Sequence, residues 1–438
     1  MCVRWLRRFG ARLVVRLDIT SPDFETSFTA LVNGRREADS DVSRDVSAII
    51  AQVKEEGDAA VADLTTKFDG HSLPWRIDLA ECQAALDALD PELRAALQLA
   101  ADRIRTYHET QRPENSDTVD SAGVRLGARW RGVDAAGVYV PGGRAAYPSS
   151  VLMNLIPAKV AGVGRVVMVT PTPKGEINQL VLAAAALGGA DEVWRIGGAQ
   201  AIAALAYGTD TIAPVDVITG PGNTWVAEAK RQLFGVVGID MVAGPSEILV
   251  VADAANDPAW IAADLLSQAE HDPNSQSILI TDDAAFADAV VAAVETALPK
   301  LSTHACARES WEANGAIIIV RDLAEAPPLI DRLAPEHLEL AVEDPEPLFA
   351  RVRHAGSIFL GRYTPEAVGD YVGGPNHVLP TGRRARFSSG LSVLDFMKRT
   401  SFLQCDAISI RAIGPAAVAL ATAEGLPAHA ASVAERLT

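Results

Sequence analysis

A chain of 438 residues with 49% hydrophobic content has the length for two or three domains and enough apolar side chains to pack them. Its formal charge of −17, with no basic stripe after the first twenty residues, argues against nucleic acid and leaves a small molecule as the expected ligand. The four cysteines (Cys2, Cys82, Cys306, Cys405) stand far apart, which fits a reducing, cytoplasmic compartment and neither a disulfide framework nor a thiolate zinc site.

The first stretch carries Arg4, Arg7, Arg8, Arg12 and Arg16 around an apolar run too broken for a secretory signal, so it reads as a mobile leader, with targeting as the alternative. The longest apolar tract, Leu180 to Leu187, is far shorter than the roughly 20 residues that span a bilayer, so no membrane segment is expected. Apolar residues at Val42, Val46, Ile49 and Val53, then at Val61, Leu64 and Phe68, predict two helices broken at Gly57. Pro91 opens a third, with Leu93, Leu97, Ile104 and Tyr107 on one face, and a polar loop is expected over 112–117. Short apolar strands then alternate with Ala-rich helices at 137–140, 165–169, 192–196 and 215–218. A second series follows at 247–251, 277–280, 316–320, 338–341 and 357–360. Such alternation predicts an α/β protein of two modules, each a parallel sheet covered by helices on both faces. From Phe387 onward the reading is helical, ending in an Ala-rich tail.

Chemistry-bearing residues sit at the joints of this pattern. Gly-rich turns follow strands at Tyr139-Val140-Pro141-Gly142-Gly143, Gly197-Gly198-Ala199-Gln200 and Gly220-Pro221-Gly222-Asn223, where free helix N–H groups could receive a dinucleotide phosphate. Gly-Pro turns also simply end strands, and no G-x-G-x-x-G fingerprint is present. Asp257-Pro258 starts a helix in which Trp260, Ala263, Leu266 and Ala269 recur at helical spacing. Its last turns carry Gln268 and His271, three apart and therefore on one face, although such a pair is ordinarily just solvated. Pro335-Glu336-His337 sets a carboxylate beside an imidazole suited to proton transfer near neutrality. Asp370 and His377 lie in a Gly-rich loop, as a possible oxygen ligand and a possible substrate contact, and His429 stands in the tail five residues after Glu424. As a set, His271, Asp370, His429 and an amide oxygen suit zinc while leaving room for a substrate. No role is assigned to His71, His108, His304 or His354, and neither Cys306 nor Cys405 has the setting of an activated thiolate.

Read together, Gly-Pro-Gly-Asn at 220–223, Ala243-Gly244-Pro245-Ser246-Glu247, Ser267-Gln268-Ala269-Glu270-His271, Pro335-Glu336-His337-Leu338, Gly369-Asp370-Tyr371, Asn376-His377-Val378-Leu379-Pro380 and Ala428-His429 closely resemble histidinol dehydrogenase, in unbroken order over about residues 30 to 438. The resemblance implies a zinc-dependent enzyme of histidine biosynthesis that oxidises L-histidinol through L-histidinal to L-histidine with two NAD molecules. Carried over by position, the metal ligands are Gln268, His271, Asp370 and His429. The acid/base residues are Glu336 and His337, and the NAD contacts are Tyr139, Gln200 and Asn223. Substrate contacts are Ser246, Gln268, His271, His337, Asp370, Glu424 and His429. A neutral His337 would take the hydroxyl proton and Glu336 would activate water for the aldehyde step, with no cysteine needed. The implied architecture is two incomplete Rossmann-like modules. Residues 1–29 form a leader and arm, a helical part over 30–137 joins 246–388 as one domain, and 138–245 form the dinucleotide-binding domain. The helical tail, 389–438, crosses to a partner, so that His429 and Glu424 complete its site in an intertwined homodimer. Two rival readings are a zinc hydrolase with Glu336 activating water and a catalytically silent scaffold.

Overall fold

Short apolar runs fold as strands buried on both faces and assemble into two separate six-stranded sheets. The computed structural model describes residues 14–34, 40–142, 147–242 and 244–438; the arginines at 4, 7, 8 and 12, together with Gly143 and Ala243, lie outside the described residues. The first sheet runs in the order Val15–Asp18, Ala316–Ile319, Gln276–Thr281, Glu247–Ala252, His337–Ala341, Ser357–Leu360, all parallel. Along Glu247–Ala252, Ile248, Val250 and Ala252 enter one core with Leu265 and Val290, while Leu249 and Val251 enter the opposite core with Phe28 and Leu329. This is the period-two alternation of a strand covered on both sides.

The second sheet runs Arg76–Ile77, Glu192–Trp194, Arg165–Val169, Ala135–Tyr139, Val217–Thr219, Gly238–Ile239, parallel except at the Arg76–Ile77 edge. Its faces are covered by its own helices and by others from outside its stretch of sequence. Helices Ser40–Glu56 and Asp58–Asp69 bring Val46, Ile50, Val53 and Leu64 into one core with Trp194 and Ile202. Helices Leu79–Asp87 and Pro91–Glu109 bring Cys82, Leu97 and Ile104 into the other, with Val138 and Leu155. The helical part expected to join 246–388 therefore packs on the second sheet, since an apolar stripe requires burial without fixing which sheet supplies it. Helix Pro91–Glu109 also reaches the first module, where Arg103 donates to the carbonyls of Val372 and Gly373 at 2.5 and 3.0 Å. On that helix Leu93 and Tyr107 are exposed, and the buried face is Leu97, Ala101, Ile104 and His108.

Two further expectations are corrected. The stretch expected as leader and arm contains a strand, Val15–Asp18, that extends the first sheet, and its Arg16 forms an ion pair with Asp288. The tail is not helical throughout. Leu391, Val393 and Phe396 bury in the second module, and Met397–Gln404 then pairs antiparallel with Arg125–Gly132, which also pairs with Ser116–Val119. Residues 397–404 lack a 3.6-residue apolar stripe and so have nothing to bury as a helix. Helices Ser409–Ala423 and Pro427–Ala434 follow. No described helix is long and apolar enough to cross a membrane.

Candidate active site

Parallel pairing of Glu247–Ala252 with His337–Ala341 sets Ile248 opposite His337, so Glu247, Glu336 and His337 crowd the amino edge of the first sheet. Glu336 is 6% exposed, and its Oε2 accepts from the Glu247 N–H at 2.9 Å. Burial pushes its carboxyl well above the usual range, and the neighbouring Glu247, Asp370 and Glu366 push the same way. His337 is 3% exposed, and its Nδ1 lies 3.1 Å from the Glu247 carbonyl. A carbonyl only accepts, so Nδ1 carries the proton and Nε2 keeps its lone pair. That Nε2 is buried with no hydrogen-bond partner. Burial also lowers the imidazole pKa, so the approaches of 3.7 Å to Glu336 and 3.8 Å to Asp370 are not ion pairs.

Helix Pro258–Ala269 buries Ile261, Leu265 and Gln268 together with Leu266 and Ala269 of the expected stripe, and leaves Trp260 and Ala263 exposed. Trp260 is 44% exposed and leans on Tyr363, while Gln268 is 1% exposed with Oε1 unpartnered. Asp257 caps the helix, accepting from the Ala259 N–H at 2.8 Å. His271 lies just past the last turn and is exposed, close enough to act on the charge of His337. Asp370 sits in a wide helical turn, Gly369–Gly373, with its Oδ1 3.5 Å from His377 Nδ1. Burial would raise its carboxyl, but His377 and His337 outweigh this and bring it down to about 2. Its neighbour Glu366 goes the other way, pushed up to about 8 by burial and by Asp370 itself. The pair therefore holds one proton, on Glu366.

His337, Glu366 and Asp370 bring ligand-capable atoms within 4.8 Å of one another. Of the four expected metal ligands this trio contains only Asp370. Gln268 Oε1 is buried and unpartnered, its neighbour Ser267 donates to Glu366 at 2.9 Å, and His429 and Glu424 are exposed on the tail helices. Among the described residues no hydrogen bond or ion pair joins either tail side chain to the other expected site residues. Ser246, the remaining expected substrate contact, is partly buried immediately before the Glu247 strand. Glu366 was not singled out in the sequence, nor were Glu247, Glu339 and Asp264, which complete the buried acidic surroundings. They are single acids inside apolar runs, and only the alternation in Leu338-Glu339-Leu340 hinted that one of them would be sealed in.

The Gly-rich turns lie at the opposite kind of edge, the carboxyl ends of the second sheet's strands. Tyr139 ends its strand 3% exposed, with its hydroxyl accepting from the Gly198 N–H at 3.1 Å, and burial pushes that phenol up to about 12. Gln200 is 1% exposed with Oε1 unpartnered, inside the first turn of helix Gly198–Tyr207. Asn223 is exposed, and its Oδ1 caps helix Thr224–Leu233 through the Trp225 and Val226 N–H groups, both at 3.1 Å, which leaves its amide NH2 free. The two edges are joined through helix Pro148–Ala161: Ser150 Oγ lies 3.3 Å from His377 Nε2, and Asn376 donates to the Met153 carbonyl at 2.6 Å.

The arrangement supplies a neutral base, a proton-avid carboxylate and an unpartnered amide oxygen, with Gly-rich turns at the carboxyl edge of the second sheet. A model of the histidinol dehydrogenase family matches residues 33–437. Histidinol dehydrogenase of Zymomonas mobilis subsp. mobilis is 65% identical over 97% of this chain and 100% of its own length. That of Rhodospirillum rubrum is 63% identical over 97% of this chain and 98% of its own. The crystal structure of histidinol dehydrogenase from Elizabethkingia anophelis, 36% identical, superposes with a TM-score of 0.92 over 97% of this chain and 98% of that one. With the family model matched over nearly the whole chain, this protein belongs to the histidinol dehydrogenase family.

Proposed function

We propose that the chain oxidises L-histidinol through L-histidinal to L-histidine, passing two hydrides to NAD. The observation that carries this reading is the buried juxtaposition of an unprotonated His337 Nε2 with the raised carboxyl of Glu336. Gln268, His271 and Asp370 would hold a zinc ion together with His429 of a second copy. The unpartnered Gln268 Oε1 and the ionised Asp370 suit such a cation. When bound, zinc would supply a positive charge that holds and orients the substrate. Tyr139, Gln200 and Asn223 would hold NAD, which would supply the hydride acceptor.

His337 Nε2 accepts the hydroxyl proton as the first hydride leaves carbon. Glu336, once ionised, takes a proton from the water that adds to the aldehyde, and its raised carboxyl pKa makes it the better base for that task. Glu366 keeps the proton it shares with Asp370, which leaves Asp370 charged for cation and substrate. Ser246 and the ligand residues of the body, with Glu424 and His429 of the second copy, complete the substrate contacts. The cytoplasm suits Cys82, Cys306 and Cys405, which form no disulfide among the described residues. Absorbance at the NADH band with histidinol as substrate tests the reading. Two NADH per histidinol consumed are expected, and no reduction of NAD by the zinc-loaded protein would overturn it.

A further inference from the structure

The Gly220-Pro221-Gly222-Asn223 turn stands on two charges that the chemistry above does not use. Lys230 is 2% exposed, and its ammonium donates to the Gly220 carbonyl at 3.0 Å while ion-pairing with Asp240. The Asp240 side chain is 1% exposed, and its Oδ2 accepts from the Gly220 N–H at 2.8 Å. Both polar groups of the Gly220 backbone are thus tied to one buried ion pair. The two partners come from different sides. Lys230 lies in the helix that Asn223 caps, and Asp240 follows Gly238–Ile239, the strand paired with Val217–Thr219. The turn is therefore fixed to the helix after it and to the strand beside it.

The backbone at this point has little freedom. Gly220 has φ +106°, and a Cβ there would lie 2.1 Å from the Tyr139 carbonyl oxygen. Burying an ion pair is a poor way to gain stability, since desolvation consumes most of the attraction, but it is an effective way to impose one geometry. We infer that the buried Lys230–Asp240 pair positions the Gly220–Asn223 turn for the dinucleotide and so sets affinity for NAD, without taking part in hydride transfer. The inference rests on the reading that this turn receives NAD.

Steady-state kinetics of the zinc-loaded enzyme test it with the double variant Lys230→Met/Asp240→Asn. That variant leaves no unpaired buried charge and keeps an oxygen acceptor for the Gly220 N–H. The expected result is a KM for NAD raised about tenfold, with kcat and the KM for histidinol within about twofold and zinc content unchanged. Val294→Ala, a core substitution in the first module, serves as the control for general loosening. It should lower the melting temperature and leave the KM for NAD where it was. A double variant that folds and binds NAD as tightly as the parent overturns the inference, as does an equal rise in KM for NAD in the Val294→Ala control. Failure of the parent protein to reduce NAD with histidinol would instead overturn the functional reading itself.

Discussion

Burial sets the proton inventory of the site residue by residue. Glu336 illustrates the consequence for catalysis. Glu336→Gln keeps an oxygen to accept the Glu247 N–H but cannot take a proton from water. Oxidation of supplied histidinal should slow by about 100-fold or more, while the first hydride transfer from histidinol changes less than about tenfold. Equal losses in single-turnover measurements on the two substrates would remove the water-activating role. Asp264 illustrates the consequence for stability. Burial, opposed by a hydrogen bond with Glu339, pushes it up to about 6, against about 3.9 in an unfolded chain. A carboxyl raised by folding stabilises most below its unfolded pKa, and the contribution is lost as pH rises through the folded value. Over pH 4 to 6 the group should therefore cost about 2 kcal/mol of stability, after discounting for its partial exposure. Asp264→Asn should abolish that slope and melt higher than the parent at pH 8. Parallel melting curves of the two proteins across pH 4.5–8 would contradict this.

At the scale of elements, the turns at the second sheet's carboxyl edge depend on close backbone approach. Gly220→Ala would put its Cβ inside the Tyr139 carbonyl at a left-handed φ, a strain of about 3 kcal/mol or more. A lower melting temperature together with lost NAD binding by calorimetry is expected, and normal NAD binding would show that the turn tolerates rearrangement. Most strands were legible in the sequence. Runs such as Glu247 to Ala252 and Ala316 to Ile319 are apolar enough to be buried on both faces, and Gly57 divides two helices where it was expected to. The phase of the Gln268 helix was legible only in part, because the expected stripe is buried at Leu266 and Ala269 but left exposed at Trp260 and Ala263. Which sheet the helices of 40–109 would cover was not legible, since an apolar stripe shows that it must be buried and not against what. Glu336, His337 and Asp370, which fold beside one another, were legible as motif residues. Glu366 was not, because one acid in Pro365-Glu366-Ala367-Val368 carries no sign that folding will seal it beside Asp370.

For the whole molecule, the tail is the part that a single copy leaves unexplained. Its two terminal helices bury only Ser409 and Gly414, while Ile408, Leu420 and Leu426 are 73%, 65% and 42% exposed. Apolar side chains left this open on an ordered helical pair belong against another surface. Glu424 and His429 ride on the same pair, and His271 is exposed at the body's end of the proposed metal site. Exchange of tails between two copies would cover the apolar face and bring His429 to the ligands of its neighbour in one step. The geometry of exchange makes a sharp demand on hybrids. In a dimer of one His271→Ala chain and one His429→Ala chain, the body of the first would meet the defective tail of the second, while the other site would combine an intact body with an intact tail. Purified by two different affinity tags, such hybrids should show about half the activity of the parent dimer and bind one zinc, although each variant alone is inactive. If every chain instead completed its own site, each site of the hybrid would carry one lesion and the hybrid would be as dead as its parents.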